Sequence, residues 1–548
     1  MNKFSALDRV KINLKLQKET FDLVIIGGGI TGAGIALDAS SRGMKVALLE
    51  KGDFASGTSS KSTKLIHGGL RYLKQFDFWL VKEVGSERAI VHNLAPHLVI
   101  PEKMVLPLIK DGTYGTWLTS IGLKIYDILA NVEDDDKRKM LTMKEVLKTE
   151  PLLPEDILEG AGFYAEYRTD DARLTIEVLK TALNYDTTAL NYCEVIDFVY
   201  DDDKISGVKA KDHIIGKDLN IRAKYIVNAA GPWVDELRQL NKSKTGKRLH
   251  LTKGVHLVFP YEKLPVKHSI YFDIPDGRMM FAIPRGKITY VGTTDTNYQK
   301  DKDIVEVNTV DALYLIGAIN NMFPNINLVL EDVQSSWAGV RPLIHEEGKS
   351  ASELSRKDEI FVSDTELISI AGGKLTGYRK MAERVVDLIS KKYTKRFNKK
   401  FKEIQTHKLK LVGGNYKNFK EVKKHEETVF QQIKKSGLTK IDANYLVANY
   451  GTQTDAILAK FNDIEENNVQ TRLAKAELWF CIHYEMVQNP LDFFIRRTGK
   501  LYFDIKSVEQ LKEPVLKEFS IIFNWNSETN EYYNQLIEKE IYRASNFS

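Results

Sequence analysis

Cysteine is almost absent: Cys193 and Cys481 are the two in 548 residues, and they stand in unrelated contexts. That excludes a disulfide framework and a Cys-ligated metal site, and it fits a reducing cytosol. No apolar run approaches the roughly 18 residues a membrane-spanning helix needs. The first residues, MNKFSALDRVKINLKLQKET, lack the apolar core of a signal peptide. Any excess of charge of one sign is small too. A net charge of +5 on a chain this long gives no reason to expect nucleic acid as a partner. Internal repeats are missing.

What is present is an ordinary globular composition, 43% hydrophobic and 28% charged. The chain is too long for one core and should hold two or three domains. Phe4, Leu7, Val10 and Leu14 fall at near-helical spacing, with Lys3, Arg9, Lys11, Lys15 and Lys18 around them. Such a basic amphipathic helix either lies on an anionic membrane or packs on the protein's own surface. Further along, Lys391–Lys424 carries 13 Lys/Arg against two Glu. It reads as a linker, either solvated or touching lipid headgroups. Residues 420–548 show helical periodicity with few strand signals.

Between these ends the pattern is α/β. Phe21–Ile26 (FDLVII) is a buried strand by its continuous apolar run. Gly27 to about Ser41 reads as a helix, and Lys45–Glu50 as a second strand. Tyr225–Ala229 and Leu367–Ala371 are further buried strands, the latter followed by an amphipathic helix, Leu375–Ile389. Ser269–Asp273, Met279–Pro284 and Lys287–Thr293 read as antiparallel strands, with Pro275-Asp276-Gly277 as one turn. Asp134–Lys139 reads as a solvated loop.

The first strand runs into GGGITGAG, a G-x-G-x-x-G that opens a helix. Gly27 allows the tight turn, Gly29 lets a pyrophosphate approach, and Gly32 allows close helix–strand packing. The helix N-terminus then meets the negative charge. Glu50 closes the second strand about 20 residues on, where a carboxylate accepts from a ribose hydroxyl and repels a 2′-phosphate. The ligand class is therefore FAD or NAD. A second strand–glycine–helix element, Ala371-Gly372-Gly373-Lys374-Leu375-Thr376, favours FAD. There the helix dipole would stabilise negative charge on a reduced flavin.

With these residues in view, the chain resembles the FAD-dependent glycerol-3-phosphate dehydrogenase family of the D-amino-acid-oxidase-like flavoproteins. The matching motifs are IIGGGITGAGIALDA, TSSKSTKLIHGGLRYL, VNAAGPWV, LTKGVHLV, VGTTDT, WAGVRPL and AGGKLTGYRK, in the family's order. The resemblance implies a Rossmann-like FAD-binding domain, an antiparallel-sheet substrate domain and a C-terminal helical domain. Boundaries follow as a 1–20 extension, a 21–395 oxidoreductase module and a 396–548 helical domain. Within the module, FAD-binding parts are about 21–95, 151–250 and 335–395; substrate parts are about 96–150 and 251–334. It implies FAD as cofactor, sn-glycerol 3-phosphate as substrate and dihydroxyacetone phosphate as product. A membrane quinone is the implied acceptor, with peripheral attachment at the inner, cytoplasmic face of the cytoplasmic membrane. A homodimer is allowed; no metal and no nucleic acid are implied.

Roles follow from the chemistry. A dianionic phosphate wants several charge-assisted donors, and Arg71, Arg341, Arg356 and Lys374 stand in or beside the motifs. His67 is the first choice of general base, because an unperturbed imidazole titrates near working pH. His256 and Lys374 are its rivals. Tyr72 binds substrate or shapes the pocket. Ser59, Ser60 and Lys64 are assigned to the FAD pyrophosphate, and Gly68, Gly372, Gly373, Leu375 and Thr376 to the flavin. The alternatives kept open are an oxidase that passes electrons to oxygen, releasing peroxide, and, more distantly, an FAD-containing tRNA-modification protein.

Overall fold

The computed structural model describes residues 4–66, 78–110, 112, 138–292, 295–345 and 358–547. Its scaffold is two sheets and a set of C-terminal helices.

The eight-stranded sheet has the path Glu359–Val362, Ile368–Ala371, Lys217–Asn228, Thr20–Ile26, Val46–Leu49, Thr187–Leu190. Its centre is parallel, and only Glu359–Val362 runs antiparallel to its neighbour on this path. Strands buried on both faces need unbroken apolar runs, which is why VALL is buried at every position. Helices Ile30–Ser41, Asp171–Leu183 and Tyr378–Phe397 pack together beside this sheet. Gly34 allows this: a Cβ there would lie 2.8 Å from the Tyr378 ring.

The ten-stranded sheet is mostly antiparallel. Its path is Thr296–Asn297, Leu249–Pro260, Ile288–Gly292, Met279–Arg285, Ser269–Asp273, Ile100–Ile109, Leu158–Arg168, Leu65–Ile66. Ser335–Ile344 pairs with Leu249–Pro260, and Lys139–Thr142 with Leu158–Arg168. Leu158–Arg168 and Ser335–Ile344 belong to this sheet, although they fall in the stretches assigned to FAD binding. The pattern within a single strand carries no mark of which sheet it joins. Lys139, placed in a loop, begins a strand instead.

The helix after the second glycine pair runs Tyr378–Phe397, past Lys391, where composition starts the linker. Helical structure resumes at Phe419–Ile433 and continues through Lys440–Tyr450, Thr454–Asp463, Val469–Tyr484, Ile505–Phe523 and Ser527–Ser545. One core cluster joins these helices to the ten-stranded sheet. Phe480, Phe493 and Phe519 share it with Met104, Tyr290 and Trp337.

The N-terminal helix, Arg9–Lys18, turns a polar face inward. Arg9 and Asn13 are buried and bond the Asp212 carboxylate, with Arg9 Nη2 at 2.8 Å and Asn13 Nδ2 at 2.7 Å. Leu16 is buried beside them. Phe4 joins the core too, whereas Leu7, Val10 and Leu14 are 50%, 61% and 45% exposed. A buried ion pair fixes the inner face, so the apolar stripe looks outward.

Candidate active site

The strand order places the site. In a parallel sheet the C-terminal ends share one edge, and ligands bind in the crevice beyond it. Along this edge the strands end at Ala371, Asn228, Ile26 and Leu49. The second glycine pair and Glu50 are therefore three strand spacings apart, about 14 Å. A cavity of about 880 Å³ runs along the edge.

Its middle is the first glycine loop. Gly27 and Gly29 line it, and the Ile30 N–H, at the helix start, donates to Ser59 Oγ at 3.0 Å. Gly32 does not face the cavity. A Cβ on it would lie 1.9 Å from the Gly27 carbonyl oxygen, so it serves the packing role expected of a third glycine. At one end Glu50 accepts from the N–H groups of Gly28, at 2.6 Å, and Gly52, at 2.8 Å. Burial raises its pKa against those two donors. Val195, Ile196 and Trp233 also line the cavity.

At the other end Gly372 and Gly373 both take positive φ, 78° and 83°. A Cβ on Gly373 would meet Met381 Sδ at 2.4 Å. Only glycine fits such a reversal straight before a helical turn. Gly372, Gly373, Lys374, Leu375 and Thr376 all line the cavity.

The ten-stranded sheet contributes Arg341, whose Nη1 donates to Asp295 Oδ1 at 2.6 Å. Asp295 also accepts from Thr252 Oγ1 at 3.4 Å. The guanidinium lies flat over Gly254, where a Cβ would come within 2.5 Å of it.

Three expected site residues stand behind the wall. Lys64 is buried and bonds Asp171 Oδ1 at 2.5 Å and the Ser60 carbonyl at 3.0 Å. Ser60 is buried as well. A lysine beside a phosphate motif reads as a cofactor contact, but a buried carboxylate claims this one. His256 is fully buried and stacks on Trp337, with ring centroids 4.7 Å apart. Its Nε2 lies 3.0 Å from Thr63 Oγ1, and Thr63 lines the cavity. Among the described residues its Nδ1 has no hydrogen-bond partner. Burial holds its pKa well below 6.5, and the charges of Arg341 and Lys64 push the same way. His67, Gly68, Arg71, Tyr72 and Arg356 lie outside the described residues.

The sequence reading missed Asp295, Trp233 and Arg278. Asp295 and Trp233 sit inside quoted motifs, where an acid beside a phosphate site or a lone aromatic looks incidental. Arg278 lines the cavity from the 275–277 turn, paired with Asp276 at 2.5 Å. No cluster of metal-ligating side chains occurs among the described residues.

Residues 22–372 match the family described as FAD dependent oxidoreductase, and 404–530 the C-terminal domain of alpha-glycerophosphate oxidase. An aerobic glycerol-3-phosphate dehydrogenase of Bacillus subtilis is 48% identical over 546 residues, covering 99% of this chain and 98% of that protein. The chain belongs to the FAD-dependent glycerol-3-phosphate dehydrogenase family. A crystal structure of such a dehydrogenase from Bacillus halodurans, complexed with FAD, superposes with TM-score 0.84 at 42% identity and 99% coverage of both chains. The L-alpha-glycerophosphate oxidase of Mycoplasma pneumoniae shares the fold, with TM-score 0.55 at 19% identity. It covers 70% of this chain and 96% of its own.

The cofactor of this family is FAD, and the residues fit it. A dinucleotide needs a side-chain-free approach at its pyrophosphate, a carboxylate at its ribose and a helix start near its flavin. The sheet edge here offers groups suited to all three, at Gly27–Gly29, Glu50 and Gly372–Thr376.

Proposed function

We propose that the protein oxidises sn-glycerol 3-phosphate to dihydroxyacetone phosphate and delivers the electrons to a membrane quinone. The observation that carries this reading is the wall of one cavity. Arg341 and Lys374 share it with the dinucleotide loop. FAD, when bound, supplies the hydride acceptor. Arg341, Lys374, Arg71 and Arg356 bind the phosphate, and Tyr72 orients the substrate. Asp295 keeps the Arg341 guanidinium aimed. His67 takes the C2 hydroxyl proton, with Lys374 and His256 as the rival bases. Gly27, Gly29, Glu50 and Ser59 hold the ribose and pyrophosphate, and Gly68, Gly372, Gly373, Leu375 and Thr376 hold the flavin. Nucleic acid has no part in it.

The quinone reading places the enzyme on the cytoplasmic face of the membrane. No described helix is long and apolar enough to cross a bilayer. The outward Leu7, Val10 and Leu14, flanked by Lys11, Lys15 and Lys18, supply an apolar stripe with cations beside it, which suits an anionic lipid surface.

Anaerobic mixing with sn-glycerol 3-phosphate should bleach the flavin absorbance. Glycerol and D-amino acids should not. Reoxidation then separates acceptors: a quinone analogue should restore the colour faster than oxygen. Rapid oxygen uptake with peroxide release would make the protein an oxidase instead.

A further inference from the structure

Far from the substrate end, a second set of contacts from the C-terminal domain converges three residues beyond the ribose carboxylate Glu50. Asp53, three residues after Glu50, is fully buried and carries two arginines from a stretch of π-helix, Asp492–Arg497. Arg497 donates to Asp53 Oδ2 at 2.7 Å and Oδ1 at 3.0 Å. Arg496 donates to Oδ2 at 2.5 Å, and Asn191 Nδ2 to Oδ1 at 3.0 Å. Burial by itself would raise this carboxyl; the two guanidinium charges outweigh it and hold the pKa at about 2. Asp53 is thus a fixed anion.

The neighbouring strand is tied to the same stretch. Asn191 Nδ2 also donates to the Met486 carbonyl at 3.0 Å. Tyr192, at positive φ, donates its hydroxyl to Asp492 Oδ1 at 2.5 Å. Its backbone N–H donates to the Gly52 carbonyl at 2.8 Å. Gly52 is the link that matters. Its own N–H donates to Glu50 Oε1, and the residue after it is Asp53. Glycine has the widest backbone freedom, so Gly52 keeps its N–H on Glu50 only while both sides are fixed. Tyr192 fixes one side and the arginine pair the other. π-helical turns recur at functional sites, and this one sets two consecutive arginines on one carboxylate.

We propose that Arg496 and Arg497 are positioning residues for the FAD ribose. They clamp Asp53, which fixes the Gly52 N–H, which orients the Glu50 carboxylate. The C-terminal domain is then a working part of the cofactor site, acting from more than 400 positions away in the sequence. The proposal rests on FAD binding as read above. The competing account is that the cluster only welds two domains together.

The test uses the full chain with FAD stripped and added back. Flavin fluorescence gives the FAD dissociation constant, and thermal unfolding is followed with and without FAD. Arg497→Lys should weaken FAD binding tenfold or more. The upward shift of the melting temperature by FAD should shrink with it. In a Glu50→Gln background the same change should cost less than threefold, because the group it acts through has been altered. Arg496→Lys, at the rim of the cluster, is measured alongside and read by the same criteria if Arg497→Lys does not fold. Lower stability with unchanged FAD affinity would overturn the proposal, as would equal losses in both backgrounds. A wild-type chain that binds no FAD would instead overturn the cofactor reading itself.

Discussion

Arg341 and Asp295 meet at 2.6 Å in the wall of the cavity, a cation expected to bind phosphate held by an anion. The carboxylate fixes the guanidinium at the cost of some repulsion toward an arriving phosphate. Arg341→Ala should remove two charge-assisted hydrogen bonds, each worth roughly 1.5–3 kcal/mol. The loss is about 3–6 kcal/mol, or about a hundredfold or more in kcat/KM. FAD content should hold. Asp295→Ala should cost about tenfold through misplacement of Arg341, whereas Asp295→Asn, which keeps an acceptor, should cost less. Steady-state kinetics on the three variants decides. Unchanged kcat/KM in Arg341→Ala would remove this residue from the site.

Two buried histidines make stability depend on acid. His97 is fully buried, and burial, then the charges of Arg173 and Lys180, depress its pKa from 6.5 to about 3. His256 is shifted the same way. In the unfolded chain both titrate near 6.5, so below that pH the unfolded state binds more protons. Stability is full above about 6.5 and falls as pH drops toward the folded values. Each histidine adds a slope of up to about 1.4 kcal/mol per pH unit. Carboxylates contribute equally to wild type and to a His97→Gln variant, so the difference isolates the histidine. Denaturant unfolding at pH 5.5 and 4.5 should give a wild-type loss steeper than the variant's by about 1.4 kcal/mol. Parallel losses would mean that His97 is protonated in the fold.

The strands and glycine turns of the cofactor edge were legible because their geometry is local. Gly32 and Gly373 are needed by atoms a few residues away, and a short motif records that. The burial of Lys64 and His256 was not legible, for the opposite reason. Their partners, Asp171 and Trp337, stand 107 and 81 positions off, and composition near a motif says nothing of which way a side chain turns. The N-terminal helix shows the same limit. Its spacing was read correctly, but the face it buries was chosen by Asp212, about 200 residues on. Asp53 left no signal in sequence either, since a lone acid after a strand is commonplace.

That helix gives a prediction about membranes. Leu7, Val10 and Leu14 add apolar contact with lipid, and Lys11, Lys15 and Lys18 add attraction screened over a Debye length of about 8 Å at physiological ionic strength. The protein should sediment with anionic vesicles at low salt and less so at high salt. Val10→Asp with Leu14→Asp should abolish this without lowering activity toward a soluble quinone analogue, because neither residue packs in the core. Binding by the double variant equal to wild type would move the contact elsewhere on the surface.

The identity of the base is open to one decisive measurement. His256 reaches toward the cavity through the Thr63 hydroxyl, and burial pushes its pKa well below 6.5. For a base that titrates near neutrality, His67 is the sequence's first choice. His67→Asn keeps a hydrogen bond and loses the base. Loss of general-base catalysis typically costs on the order of 10²–10⁴ in rate. Flavin reduction by saturating substrate should slow by that order, and its dependence on a group titrating near pH 6.5 should vanish. FAD content should change little, because Asn preserves polarity beside two glycines. If His67 only orients the flavin, reduction slows less than about tenfold and the profile keeps its shape. Lys374→Met run in parallel completes the test. Stopped-flow reduction across pH would assign the base to Lys374 if His67→Asn retains the wild-type profile while Lys374→Met loses it.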